Sequence, residues 1–128
     1  MVSPTELESR IGIESIDALL AERAKLVTAA APLWAKHGPG GIWDHQRKAT
    51  VDSLAMMYRG KATEAGEKVT EAALAQMAHD DSGYVGLLAQ AITEREALYR
   101  LEAQIQAIDA RINRGQALAR FAAAERTL

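Results

Sequence analysis

Apolar residues recur at steps of three and four positions along most of the chain, which is the spacing of helices that bury one side. The longest series lies in the last third of the sequence and is typical of a heptad repeat. It predicts one C-terminal helix that starts near Ser82 and spans roughly 45 residues, or about 65 Å. The series consists of Leu98, Leu101, Ile105, Ile108, Ile112, Gly115, Ala119 and Ala122.

Capping residues and glycines divide the preceding part of the chain into shorter helices. A capping box at Ser3 starts the first, Ser15 caps the second, and Thr70 caps the fourth. Pro32 lies inside the second helix, so we expect a kink or a break there. The predicted spans are 3–12, 15–37, 42–65 and 70–79.

The length of the C-terminal helix predicts self-association. A compact chain of 128 residues has a radius of gyration of about 14 Å, which is too small for a helix of that length. The shorter helices cover part of the heptad series, and we expect a second copy of the chain to cover the rest. The predicted fold is all-α, with short antiparallel helices packed on the long C-terminal helix as a helical bundle or coiled coil. We expect one domain over residues 1–128, in a homo-oligomer whose interface contains Leu98, Leu101, Ile105, Ile108 and Ile112.

Composition excludes several functional classes. The net charge of -2 is unlike that of a dedicated duplex-DNA binder, although a local basic surface is compatible with it. The chain has no cysteine, so disulfides, thiolate nucleophiles and cysteine zinc sites are excluded. No apolar run approaches the ~18 residues that span a bilayer. We therefore expect a cytoplasmic protein without a membrane partner.

The segment from Lys36 to Lys48 contains glycines, histidines, a tryptophan and cations in a number that a simple turn between helices does not require. Its glycine-rich turn opens a helix, where free backbone N–H groups and the helix dipole favour an anion. The cations predict a site for a phosphate-bearing ligand, on whose base Trp43, His45 or Tyr58 would stack. The alternative is a structural turn across which Trp34 and Trp43 pack. The candidate phosphate-binding residues are Gly40, Gly41, Trp43, His45, Arg47, Lys48, Arg59 and Lys61.

Catalytic chemistry is not indicated. The serines lie outside any nucleophile-elbow pattern, and several of them are positioned as helix caps. No histidine pair has the spacing of a helical metal site, and we expect His37 and His79 to contact the last carbonyls of their helices. We therefore predict a protein that is not an enzyme and that has no catalytic residue, no metal and no cofactor.

Three pieces of the sequence resemble a group of small helical accessory proteins encoded by tailed phages and prophages. They are LWAKHGPGGIWDHQRK, YRGKATEAGEKVTEAALAQMAHDD and LEAQIQAIDARINRGQALARF, and the similar region runs from Leu33 to Phe121. The resemblance implies an accessory protein in the host cytoplasm. Such proteins assist phage replication or recombination, or block host defence by sequestering a nucleotide signal or a host protein.

Two functions therefore remain open. In the first, a non-enzymatic oligomer binds a phosphate-bearing ligand, either a nucleotide signal or single-stranded nucleic acid. In the second, a coiled-coil adaptor or inhibitor binds a host or phage protein and no phosphate. A basic cleft lined by aromatic rings at the turn would favour the first. A wide exposed apolar stripe, with the cations of the turn in salt bridges, would favour the second.

Overall fold

A computed structural model describes residues 15–127 of the chain, and every regular element among them is an α-helix. The predicted helix over residues 3–12 lies outside the described part. The all-α prediction is confirmed for this part of the chain. They are α1 (Ile16–His37), α2 (Trp43–Glu64), α3 (Glu71–Asp80) and α4 (Ser82–Thr127).

The predicted caps set most of these boundaries. The Ser15 hydroxyl accepts a hydrogen bond from the N–H of Ala18, and the Thr70 hydroxyl accepts one from Ala73. Gly66, with φ of +70°, ends α2. The N–H of Glu67 reaches back to the Ala62 carbonyl there, which is the hydrogen bond of a Schellman motif.

Helix α1 continues through Pro32 without a break. A proline inside a helix removes one backbone N–H donor, and it is tolerated when surrounding packing outweighs that loss. The buried Ala30 lies just before Pro32 in the same helix. The predicted break is therefore absent, and 22 residues form one helix.

Asp81 joins α3 to α4 and fixes the start of the long helix. Its carboxylate accepts hydrogen bonds from the N–H groups of Gly83 and Tyr84, at 2.9 and 3.4 Å. The Tyr58 hydroxyl donates to the same carboxylate at 2.6 Å, which links α2 to this junction. The Tyr58 hydrogen bond is the main cause that lowers the pKa of Asp81. Asp81 therefore caps α4.

The chain divides into two compact units. The first contains the residues up to Pro32 together with those from Leu98 onward, and the second is Leu33–Ala97. In the first unit, Leu19 of α1 forms a buried cluster with Ile108 and Ile112 of α4. Arg23, one turn after Leu19, pairs with Asp109 at 2.6 Å. Leu26, two turns after Leu19, lines a cleft with Gln104 and Ala107 from an earlier part of α4, so α1 and α4 are antiparallel within the unit.

The predicted heptad series is buried within a single chain. Leu98, Ile105 and Ile108 are at most 7% exposed, Ile112 is also buried, and Leu101 is half-buried. The chain's own residues therefore cover four of the five positions that the sequence assigned to an oligomer interface. In the first unit, Leu19 of α1 packs on Ile108 and Ile112 of this series.

The second unit packs α2 against α3. Leu74 and Ala78 are the buried residues of α3, and Trp43 and Ala62 are those of α2. Arg59 of α2 pairs with an exposed glutamate at the start of α3. None of the described helices is both long and apolar enough to cross a membrane.

We predict that Ile108→Ala lowers the free energy of unfolding by about 2–5 kcal/mol, because the substitution leaves a cavity beside Leu19. Met56→Ala removes a side chain that is 71% exposed, so its effect should stay within about 0.5 kcal/mol. Urea unfolding measures both values. Equal effects of the two substitutions would contradict the single-chain core.

Candidate functional site

The glycine-rich turn uses its own backbone hydrogen bonds to connect α1 with α2. Gly38 donates to the Trp34 carbonyl at 2.8 Å, and Gly41 donates to the Gly38 carbonyl at 2.9 Å. The N–H of Ile42 reaches the Ala35 carbonyl at 3.2 Å. The N–H groups of Gly38, Gly41 and Ile42 are therefore already paired with backbone carbonyls of the turn and of α1.

Each glycine of the turn has a local structural reason. A Cβ on Gly38 would lie 2.6 Å from the Trp34 carbonyl oxygen, and one on Gly41 would lie 2.6 Å from that of Lys36. Gly40 has φ of +72°, which other residues adopt at a cost. The turn therefore requires glycine for tight backbone packing, without any ligand.

Trp43, the first residue of α2, packs under the turn. Its side chain belongs to the buried core, and its ring lies 5.7 Å from that of His37, the last residue of α1. The ammonium of Lys36 lies 5.6 Å from the Trp43 ring centre, a cation–π arrangement. The indole is thus enclosed by its own chain and does not present a face to a base.

Glu94 of α4 forms a cluster with Lys36, His37 and Trp43. Lys36 donates a hydrogen bond to Glu94 at 2.8 Å, and both side chains are about four-fifths covered. This hydrogen bond is the main cause that lowers the pKa of Glu94, and burial opposes it. The sequence analysis did not predict that Glu94 would pair with Lys36. Its position was a signal for such a role, because Glu94 is a charged residue that interrupts the apolar series before Leu98.

His37 is the most enclosed polar side chain of the cluster, with 1% of its surface exposed. Arg95 donates a hydrogen bond to its Nδ1 at 3.4 Å. Nε2 lies 3.7 Å from Glu94, beyond hydrogen-bond distance, and has no hydrogen-bond partner. The prediction that His37 contacts the last carbonyls of α1 is therefore wrong, because its ring instead turns toward α4 and Trp43.

His79, in contrast, lies where the sequence predicts. Its Nδ1 is 2.6 Å from the Ala75 carbonyl oxygen near the end of α3, and its ring meets Tyr84 edge-on. Among the described residues, no three histidine or carboxylate side chains form a group that could hold a metal ion.

The eight candidate phosphate-binding residues separate into two groups at opposite ends of α2. His45 and Lys48 are exposed near its start, where Arg47 is half-buried and Gly40 and Gly41 form the turn. Arg59 is about 24 Å further along the helix from Trp43, which lies at the start. The eight residues therefore do not surround one ligand.

The cations at the far end of α2 make contacts within the chain. Arg59 forms its salt bridge with Glu71, and the ammonium of Lys61 lies 5.6 Å from the Tyr58 ring centre. A cleft of about 260 Å³ opens beside Arg59, but it contains no aromatic ring. Its lining residues are Arg59, Ala62, Thr63, Glu67, Lys68, Val69 and Leu74.

A second apolar stripe runs along α4, on the side opposite the buried series. Val85, Ile92 and Tyr99 are seven residues apart, and they are 51%, 59% and 64% exposed. Alanines, with two exposed polar residues, fill the intervening positions at steps of four and three. We call this stripe the outer face of α4, and it comprises Val85, Ala89, Ile92, Glu96, Tyr99, Ala103, Gln106 and Ala110.

Searches against protein-family models, curated proteins and solved structures returned no match to this chain.

We predict opposite effects for two glycine-to-alanine substitutions near and within α2. Gly41→Ala should lower the free energy of unfolding by about 1–3 kcal/mol, because its Cβ would collide with the Lys36 carbonyl. Gly60→Ala should raise it by about 0.5–1 kcal/mol, because Gly60 is helical and nothing lies within 4 Å of its Cβ position. Urea unfolding of both variants provides the measurement, and a neutral Gly41→Ala would contradict the structural account of the turn.

Proposed function

We propose that the chain is a non-enzymatic helical adaptor that self-associates through the outer face of α4. One observation carries the proposal, namely three large apolar side chains seven residues apart that are each more than half exposed. A seven-residue repeat keeps such side chains on one side of a helix, and it is the pattern by which helices pair. Burying one of them fully stabilises an assembly by about 1.5–3 kcal/mol.

The contacts that several cationic side chains make within the chain favour an adaptor over a phosphate-binding protein. Lys36 is paired with Glu94, Arg59 is paired with Glu71, and Arg95 contacts His37. A phosphate would have to compete with these internal contacts. The Trp43 side chain is buried, so its ring is not available to stack on the base of a nucleotide.

A surface for a target protein is available away from α4. Met56 and Met57 of α2 and Met77 of α3 are exposed. Methionine is flexible and polarizable, and it is frequent at surfaces that adapt to a protein partner. The resemblance to phage accessory proteins adds the rest of the proposal: a phage or prophage origin, action in the host cytoplasm, and a host or phage protein as the target.

Self-association is tested by the mass in solution of wild type and two charge variants. Wild type should have a multiple of the chain mass at micromolar concentration, by light scattering. Ile92→Glu should reduce it to a single chain, because a buried unpaired charge opposes assembly. Met56→Glu places the same charge on an exposed side chain of α2 and should leave the mass unchanged. Wild type with the mass of one chain would refute the proposal.

A phosphate-bearing ligand at the start of α2 is the second candidate, and one observation favours it. Ile42, which precedes the helix, makes no side-chain capping hydrogen bond. The first turn of α2 therefore offers the dipole and the N–H groups that bind anions at helix starts. Asp44 lies in the same turn and weakens this attraction.

Two double variants separate these candidates. If phosphate binds at the start of α2, Arg47→Ala with Lys48→Ala should lose binding to mononucleotides, cyclic dinucleotides or short single strands. Arg59→Ala with Lys61→Ala removes the same charge from the far end of the same helix and should retain it. Wild-type binding should weaken as salt rises. Absence of wild-type binding at tens of micromolar ligand in low salt, or equal losses in both variants, would refute the site.

A further inference from the structure

We infer that the cleft beside Arg59 binds the C-terminal residue of a partner protein, through its carboxylate and an apolar side chain. This inference rests on the proposed adaptor function and names the chemistry by which the partner is recognised. The cleft lies entirely within the second unit, where the last turns of α2, the connection after Gly66 and Leu74 of α3 form it. Its floor and its rim differ in chemistry, and each matches one part of such a residue.

The floor of the cleft consists of its buried lining residues, which are apolar. Leu74 and Ala62 are 2% and 9% exposed, and Val69 is half-buried. The N–H of Glu67 bonds to the Ala62 carbonyl, and the Thr70 hydroxyl caps α3, so both ends of the connection that contains Val69 are fixed. An apolar side chain that enters the cleft therefore meets a preformed surface and leaves water, which is favourable.

Cations lie at the rim of the cleft. The exposed side chain of Lys68 makes no hydrogen bond or ion pair with any described residue. Arg59 pairs with Glu71 through one nitrogen, Nη2, and a guanidinium has five N–H donors, so donors remain for a ligand. Among the described lining residues Glu67 alone is acidic, and it stands against the two cations. The rim therefore favours a carboxylate over an ammonium group.

The connection between α2 and α3 offers two further donors. Glu67 uses its N–H within the chain, whereas the N–H groups of Lys68 and Val69 have no hydrogen-bond partner among the described residues. Both residues line the cleft. Successive backbone N–H groups bind anions, and proteins use them with nearby cations to hold the C-terminal carboxylate of a peptide.

The volume and the layout of the cleft select a single residue as its occupant. A volume of about 260 Å³ is below the roughly 300–1,000 Å³ of pockets that enclose a drug-sized ligand, so a nucleotide or a long acyl chain does not fit. A C-terminal apolar residue carries its carboxylate and its side chain on the same Cα, so the charge reaches the rim while the apolar group reaches the floor. Inorganic phosphate and acidic side chains lack the apolar part.

Fluorescence anisotropy with short dye-labelled peptides tests the cleft. The peptides differ only at the C-terminal end, which is leucine with a free carboxylate, leucine carboxamide, or serine with a free carboxylate. The leucine carboxylate peptide should bind wild type at least about tenfold more tightly than either of the others, because each of those lacks one of the two interactions. Equal binding of the carboxamide, or no binding of any peptide at about 1 mM, would overturn the inference.

Two neighbouring residues of opposite charge provide matched variants. Lys68→Gln should weaken binding of the leucine carboxylate peptide about two- to fivefold, and Glu67→Gln should strengthen it by a similar factor. Lys48→Gln removes an exposed cation near the other end of α2 and should leave the affinity unchanged. Circular dichroism checks that all three variants fold. Unchanged affinity in Lys68→Gln, or an equal loss in Lys48→Gln, would refute the site.

Competition and mass in solution separate the remaining outcomes. Acetyl-leucine should displace the peptide, whereas inorganic phosphate at the same concentration should not. Equal displacement by both would indicate an anion site that does not use the apolar floor, and it would overturn the inference. Light scattering of the same samples reports self-association. Absence of peptide binding by a protein with a multiple of the chain mass refutes this cleft alone, whereas peptide binding by a protein with the mass of one chain supports the cleft and refutes self-association.

Discussion

Helix α4 has two apolar sides, and the chain covers only one of them. The buried side receives Leu19 of α1 in the first unit and contributes Tyr84 and Ala91 to the buried residues of the second. The opposite side keeps Ile92 and Tyr99 in water. Exposing large apolar side chains at regular spacing is unfavourable for a chain that functions alone, and pairing removes that cost.

The turn between α1 and α2 has its own structural role. Its glycines allow three backbone hydrogen bonds in a short connection, and Trp43 then packs under the end of α1. Lys36 and Glu94 form the ion pair beside this ring, and His37 is enclosed with them. An unusual composition here thus reflects a connection that holds three helices of the second unit together.

Local signals in the sequence account for much of the fold. Ser15, Thr70 and Gly66 each fix a helix boundary by a short-range interaction, and such interactions are predictable from neighbouring residues. The heptad series identified the buried side of α4, but spacing does not specify which helix covers it; Ile108 and Ile112 are covered by Leu19 of the same chain. The links from Glu94 to Lys36 and from Asp81 to Tyr58 join residues distant in sequence. The sequence analysis did not identify the outer face of α4, because its alanines and Glu96 dilute the apolar pattern.

The central claim is that the fold gains stability when a second copy covers the outer face of α4. The dependence of the melting temperature on protein concentration tests it most directly, because assembly of folded chains stabilises them by mass action. Wild type should melt at a clearly higher temperature at 100-fold greater concentration, with one reversible transition by circular dichroism. A melting temperature that does not change over that range would contradict the claim.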